Sequence, residues 1–245
     1  MFRALLVPAA LVCALTVSAC SGLLKKEYEY EEEVYLQLDG SATVNLYASV
    51  ASLVALRGVD LTVDPGARLD RGRVRELFQS PGADVRVSLS RRHGRRFVHV
   101  SLEVPDVRQL HRLPVFSWST YQFDRQGEEF LYRQVVGAPA GKAVGDVGWT
   151  GREVVVFRMH IPSEIPFHNA KKVQRGNIVE WEQPLTERLN GAPLDAQVRM
   201  ESESILYTTL LLFGFTVVAA AIAFGVVLWW VVRRGRQSEE LPRPA

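Results

Sequence analysis

The chain has 245 residues, 29 of them basic and 27 acidic, for a formal net charge of +2, and 47% of it is hydrophobic. Five of the basic and two of the acidic residues lie outside residues 20–204, which leaves that segment with 24 basic against 25 acidic and removes the charge case for a nucleic-acid partner. The two cysteines, Cys13 and Cys20, both lie near the N-terminus, so neither a disulfide framework nor a zinc spacing is available to the rest of the chain.

Arg3 makes a short positive start, residues 4–17 are apolar, and Ser18 and Ala19 are small. This is the pattern of a secretory signal peptide, predicted over residues 1–19. Val17-Ser18-Ala19-Cys20 is an aliphatic residue, two small ones and a cysteine, and it resembles the bacterial lipobox. The resemblance implies cleavage before Cys20 and lipid attachment to its thiol. Ordinary signal-peptide cleavage, with Cys20 a bystander, is the plainer alternative.

The next segment, residues 20–204, reads as an extracytoplasmic domain. Tyr28, Tyr30, Val34, Leu36 and Leu38 share parity, which predicts a strand with one apolar face. Its other face begins acidic (Glu27, Glu29, Glu31, Glu33) and reads as solvated, a cation site being the sharper alternative. Asp39-Gly40-Ser41 is a hairpin turn, and Ala42, Val44, Leu46 and Ala48 line the returning strand. Residues 47–56 predict a short helix stopped by Gly58, and Asp70 caps a second one through Gln79, ended by Ser80-Pro81-Gly82.

Strands are predicted over residues 84–90 and 95–104, joined by Arg91-Arg92-His93-Gly94. Arg91, Arg92, Arg95 and Arg96 thus crowd one hairpin tip. Beside a membrane such a tip is a candidate for anionic headgroups, at about 1 kcal/mol per basic residue near the surface. An edge kept soluble by charge is the bland alternative, and no aromatics interleave to suggest single-stranded nucleic acid. Residues 105–113 predict a helical turn, and residues 115–123 and 128–136 a hairpin. That hairpin is the most aromatic part of the domain. Phe116, Trp118 and Phe130 are its candidates for an apolar pocket, against a core role.

Residues 137–148 are glycine-rich, but three residues separate Gly137 from Gly141 and Ala143 follows Lys142, so the Walker spacing fails and the segment is a cover or a plain connection. Residues 151–161, 178–181 and 195–203 predict further strands. No histidine makes His-Glu-X-X-His, there is no Gly-X-Ser-X-Gly elbow, and the domain holds no thiol. No catalytic residue, metal site or cofactor is therefore expected.

Residues 205–232 contain no charge at all. A helix needs about 20 apolar residues to cross the hydrocarbon core, and it satisfies its own backbone there. Arg233, Arg234 and Arg236 follow the run, whereas Glu201 and Glu203 precede it. The positive-inside rule places the tail, residues 233–245, in the cytoplasm and the domain outside a single-pass span of the cytoplasmic membrane. Trp229 and Trp230 suit the inner interface and Tyr207 the outer one. Ala219 and Ala223, like Ala221 and Gly225, are spaced for close approach of another helix.

A run near the end of the domain is distinctive: Ile161-Pro162-Ser163-Glu164-Ile165, then Asn169-Ala170, then Gly176-Asn177-Ile178-Val179-Glu180-Trp181 and an alternating strand. With the lipobox, the Asp-Gly-Ser hairpin and the single C-terminal span, it resembles the LppM-type lipoprotein domain of actinobacteria. Pro162-Ser163 and Asn169-Ala170 stand where that family commonly has Pro-Gly and Asn-Gly. The resemblance implies a β-rich α+β envelope domain that binds membrane glycolipids, and it carries over no catalytic residue.

The expected fold is therefore α+β: an antiparallel, β-rich domain with a few short helices plus one C-terminal transmembrane helix. The expected role is binding a membrane lipid or another envelope component, without enzymatic activity. Scaffolding of envelope proteins is the alternative, and a hydrolase of unassigned type comes third.

Overall fold

The computed structural model describes residues 27–79 and 83–239. The expected signal peptide, Cys20, the turn at residues 80–82 and the end of the tail lie outside the described residues. The fold is α+β. Among the described residues eleven strands form two sheets, with short helices and one long C-terminal helix.

β1 (Glu27–Leu36) and β2 (Ala42–Ser49) form the first hairpin. The turn closes where Asp39 accepts from the Ser41 amide and hydroxyl. α1 (Val50–Arg57) begins later than the periodicity suggested, because β2 stays paired to β4 through Ser49. Ser49 then caps the helix by accepting from Ser52 N at 3.0 Å. Gly58 ends it in the left-handed region, at φ +68°, where a side chain would be strained. α2 (Arg71–Phe78) starts on Asp70, which accepts from Gly72 and Arg73 amides.

β3 (Asp84–Arg92) and β4 (Arg95–Val104) follow. Their turn is the two-residue His93-Gly94, not the four-residue loop expected, since both residues adopt positive φ (49° and 74°) as a tight hairpin loop requires. A 3-10 turn (Val107–Arg112) buries Val107 and Leu110. β5 (Ser119–Gln126) and β6 (Glu129–Val136) pair next. The chain then passes through residues 137–152 to β7 (Glu153–His160), β8 (Phe167–His168), β9 (Lys172–Gln174), β10 (Ile178–Pro184), α3 (Leu185–Leu189) and β11 (Leu194–Glu201).

The first sheet runs β3-β4-β2-β1-β7-β10-β9 and the second β5-β6-β11-β8. One pairing departs from the antiparallel expectation: β1 and β7 are parallel. Parallel neighbours need a long crossover, and here β2 to β6 supply it. The core lies where inward side chains such as Val34, Leu46, Val100, Phe157 and Val198 meet, all at most 2% exposed.

Strand directions give the domain two ends. β7 finishes at His160, and the chain continues through Ile161 to Pro162 and Ser163, which meet the start of α4 (Ile205–Glu239). Ser163 bridges to Ser204, and Ile205 N donates to Pro162 O at 3.1 Å. This is the α4 end. Glu27, Glu153, the His93-Gly94 turn and the end of β6 lie at the other, because β1 starts there and the register carries β4 and β7 with it. Ten residues of β1 make the separation about 30 Å.

Within α4, Ile205–Arg234 is 30 residues long, apolar enough to cross a membrane and unburied by the domain. At about 1.5 Å per residue it exceeds the ~30 Å hydrocarbon thickness.

Candidate functional site

The acidic strand β1 divides its carboxylates between two faces and the interior. Glu32 has the parity of Tyr30 and Val34 and is 1% exposed. It accepts from Tyr30 Oη at 2.7 Å, Gln134 Nε2 at 2.8 Å, Tyr121 Oη at 3.1 Å and Arg57 Nη2 at 3.2 Å. Arg57 also donates to Tyr30 Oη and lies over the Trp118 ring. Burial pushes the Tyr30, Tyr121 and Tyr132 hydroxyls well above the usual phenol range, so all three stay protonated donors. Glu32 is saturated with donors, and its position is structural. Glu29, on the face read as solvated, is also buried, and the solvated reading is overturned there.

On the outer face of the first sheet Glu31 pairs with Arg158, and His160 Nε2 lies 2.7 Å from Glu33 Oε1. A polar groove of about 470 Å³ runs here past Asn45, Tyr47, Ser88 and His99. Burial lowers the His99 pKa, and nearby Arg92 adds to the shift. Glu180 and Trp181 face opposite ways, as alternation requires. Burial alone would raise the Glu180 pKa, but Arg158 and Lys172 pull it below the usual range. Among the described residues no group of three or more His, Cys, Asp or Glu side chains is arranged to hold a metal.

The apolar-pocket candidates do not converge. Phe116 is buried against Phe78, with ring centres 6.1 Å apart. Phe130 stacks on Phe123 at 5.0 Å. Trp118 packs edge-on to Tyr30, and the guanidiniums of Arg57 and Arg188 both lie over its ring. Phe116 is part of the hydrophobic core and Trp118 and Phe130 are half-buried against it, each on different ring partners; the strand starts at Ser119 and residues 115–118 are turns instead.

The four tip arginines are also separated. The two-residue turn pairs Arg92 with Arg95 and Arg91 with Arg96 across the hairpin, and successive pairs face opposite sides. Arg95 is buried and lies within 4 Å of Glu27, Glu29 and Glu153, and it donates to Gly148 O. Arg92 covers the Phe97 ring and donates to Tyr28 O. Arg96, 5% exposed, donates to the carbonyls of Ala67 and Thr62. Arg91 alone is exposed. The tip is therefore not four outward cations, and it stands at the far end, not beside α4.

What the sequence did not reveal is a pocket at that end. Its volume is about 360 Å³. Val50 and Ala51 from the start of α1, Val63 and Pro65, and Val144 and Val147 supply apolar walls. Arg95, Arg96, His93, Asp64 and Asp146 surround them. The glycine-rich segment is the fourth side. It is fixed there because Ala140 N and Gly141 N donate to Leu56 O and Ala55 O, the open carbonyls at the end of α1. Lys142 Nζ adds a bond to Gly58 O at 2.5 Å. A second hollow of about 320 Å³ adjoins it, lined by Arg68, Leu69, Leu89, Arg91 and Arg96. Arg96 belongs to both.

No protein-family model matches the chain, and no curated protein is found similar to it. Among solved structures, the NMR structure of the folded domain of the LppM protein from Mycobacterium tuberculosis is similar over 74% of this chain and 94% of that one, at 9% identity and a TM-score of 0.42.

Proposed function

We propose that the chain is a membrane-anchored envelope lipoprotein of bacteria, lipidated at Cys20, whose extracytoplasmic domain binds a lipid-like molecule without chemically changing it. α4 is the anchor, in the cytoplasmic membrane with residues 233–245 inside. The observation that carries the binding reading is the far-end pocket. Apolar side chains joined by polar ones are the usual make-up of a small-molecule site; here six apolar residues stand with five polar or charged ones, and about 360 Å³ falls in the common size range. Scaffolding would call for an exposed apolar patch. Outside α4, among the described residues, Phe167 and Val173 are the exposed large apolar side chains, on different sheets.

The test is native mass spectrometry of the full-length protein, released from detergent after exposure to membrane lipid extract. A discrete lipid mass is expected on the wild type. Val144→Trp, which fills the pocket from a partly exposed loop, should lose it. A lipid-free wild type, or a lipid equally retained by Val144→Trp, would remove the pocket as the site.

A further inference from the structure

Arg91 and Arg96 face each other directly across the β3–β4 hairpin. Like charges in that position repel. Three buried or half-buried arginines of the domain are neutralised by carboxylates: Arg57 by Glu32, Arg95 by Glu27, Glu29 and Glu153, Arg158 by Glu31 and Glu180. Arg188 and Arg92 donate to backbone carbonyls instead, as Arg96 does, but neither stands opposite a second arginine that lines a common hollow. Arg91 and Arg96 have no such counter-ion. Among the described residues no carboxylate lies in ion-pair distance of either, nor of Arg68, which lines the same hollow. The nearest acidic influence on Arg96 is Asp64, whose Oδ1 already accepts from Gly66 N at 2.9 Å. Burial lowers the pKa of Arg96, and the charge of Arg91 lowers it further.

Three arginines thus line a hollow of about 320 Å³ whose remaining walls include Leu69 and Leu89. Arg96 is held by two backbone carbonyls, and Arg68 and Arg91, which line the same hollow, are exposed. Guanidiniums bind tetrahedral oxyanions through paired N–H groups and are weakly hydrated. The apolar pocket begins on the other side of Arg96.

We infer that this hollow takes a phosphate-type oxyanion, and that the ligand of the far end is an anionic amphiphile with its headgroup at Arg68, Arg91 and Arg96 and its apolar part in the pocket behind Arg96. The assignment rests on the apolar pocket being the binding site proposed above. It differs from a membrane-facing basic tip in both residues and place: Arg92 and Arg95 are excluded, Arg68 is added, and the site is about 30 Å along the strands from α4.

The experiment is titration calorimetry on the full-length protein in neutral phosphatidylcholine nanodiscs. Three probes are used below their aggregation limits: dodecyl phosphate, dodecanol and inorganic phosphate. Dodecyl phosphate should bind at least tenfold more tightly than either of the others. Arg68→Ala and Arg91→Ala, both on exposed side chains, should each weaken dodecyl phosphate about tenfold, the effect of one partly solvated charge-assisted contact, and leave dodecanol unchanged. Val144→Trp should weaken both alkyl probes. Equal affinity for dodecanol and dodecyl phosphate would overturn the anion assignment while sparing the pocket. Inorganic phosphate binding as tightly as dodecyl phosphate would overturn the amphiphile and leave a free oxyanion as ligand. Absence of binding by either alkyl probe would overturn this inference and the proposed function together.

Discussion

Glu32→Leu should be among the most damaging single changes in the domain. The carboxylate accepts from two tyrosine hydroxyls, one amide and one guanidinium, all in the interior. Leucine is of similar size and offers no acceptor. Tyr30 and Tyr121 would lose theirs, and Arg57, whose side chain is fully buried, would keep its charge without a partner. Removing one member of a buried pair costs about 3–5 kcal/mol. For a domain of this size each kcal/mol lowers Tm by about 2–4 °C, so a fall of about 6–20 °C is expected. The assay is thermal unfolding of the full-length protein in detergent, followed by tryptophan fluorescence. Arg57→Met should rescue part of the loss, since it removes the stranded charge, and the double variant should be more stable than the sum of the singles predicts. A loss below about 1 kcal/mol for Glu32→Leu, or strict additivity with Arg57→Met, would refute the idea that the network is organised around this carboxylate.

Two further outcomes follow from the charges and from the anchor. Burial raises the pKa of Glu29 above its usual 4.5, against the pull of its hydrogen bonds and Arg95. Its contribution to stability is therefore fully present below pH 4.5 and is lost as pH rises through its folded pKa. Glu29→Gln should accordingly gain stability relative to wild type between pH 4 and pH 7. Urea unfolding at both pH values checks this, and a relative loss would contradict the sign. For the anchor, Cys20→Ala should stay in the membrane fraction after carbonate extraction, because a spanning helix suffices. Adding Ala219→Arg and Ala223→Arg near mid-span, at about 2.5–3.5 kcal/mol each, should release it. Continued retention of the triple variant would show that α4 is not the anchor.

Local signals made much of this fold legible. Asp70 ahead of α2, Gly58 behind α1 and the parity of Ala42, Val44, Leu46 and Ala48 each act within a few residues, where capping and pleat geometry decide. Partners distant in sequence were not legible. Nothing in β1 or β7 announces that they run parallel, since alternation specifies a face and not a neighbour. Glu32 was in view all along: it shares parity with Tyr30 and Val34, and a carboxylate on an apolar face is a signal for a buried partner. The arginine tip turned on the loop. Reading residues 91–94 as the turn leaves the pairing open, whereas a His-Gly turn of two residues fixes Arg91 opposite Arg96 and splits the four arginines between two faces. The far-end pocket had no signature, because segments around residues 50, 64, 95 and 145 build it together.

The placement of that pocket relative to α4 bears on what supplies its ligand. Residues 202–205 leave little slack: Ser202 N donates to Glu128 O, Ser204 bridges Ser163, and Ile205 N donates to Pro162 O. α4 is thus coupled to the domain, and the arginine hollow lies at the opposite ends of the same strands, about 30 Å away. At physiological salt, charge is screened within about 8 Å. If α4 spans a bilayer as proposed, a domain standing on its α4 end holds Arg68 and Arg91 beyond the field of that bilayer. Changing that bilayer from phosphatidylcholine to one-third phosphatidylglycerol should leave the affinity of the far end for dodecyl phosphate unchanged. A loss of affinity in proportion to phosphatidylglycerol would show anionic headgroups of the same bilayer competing for the arginines. The domain would then have to lie with its strands along the membrane, and the ligand would come from the tethering leaflet instead of from the aqueous side.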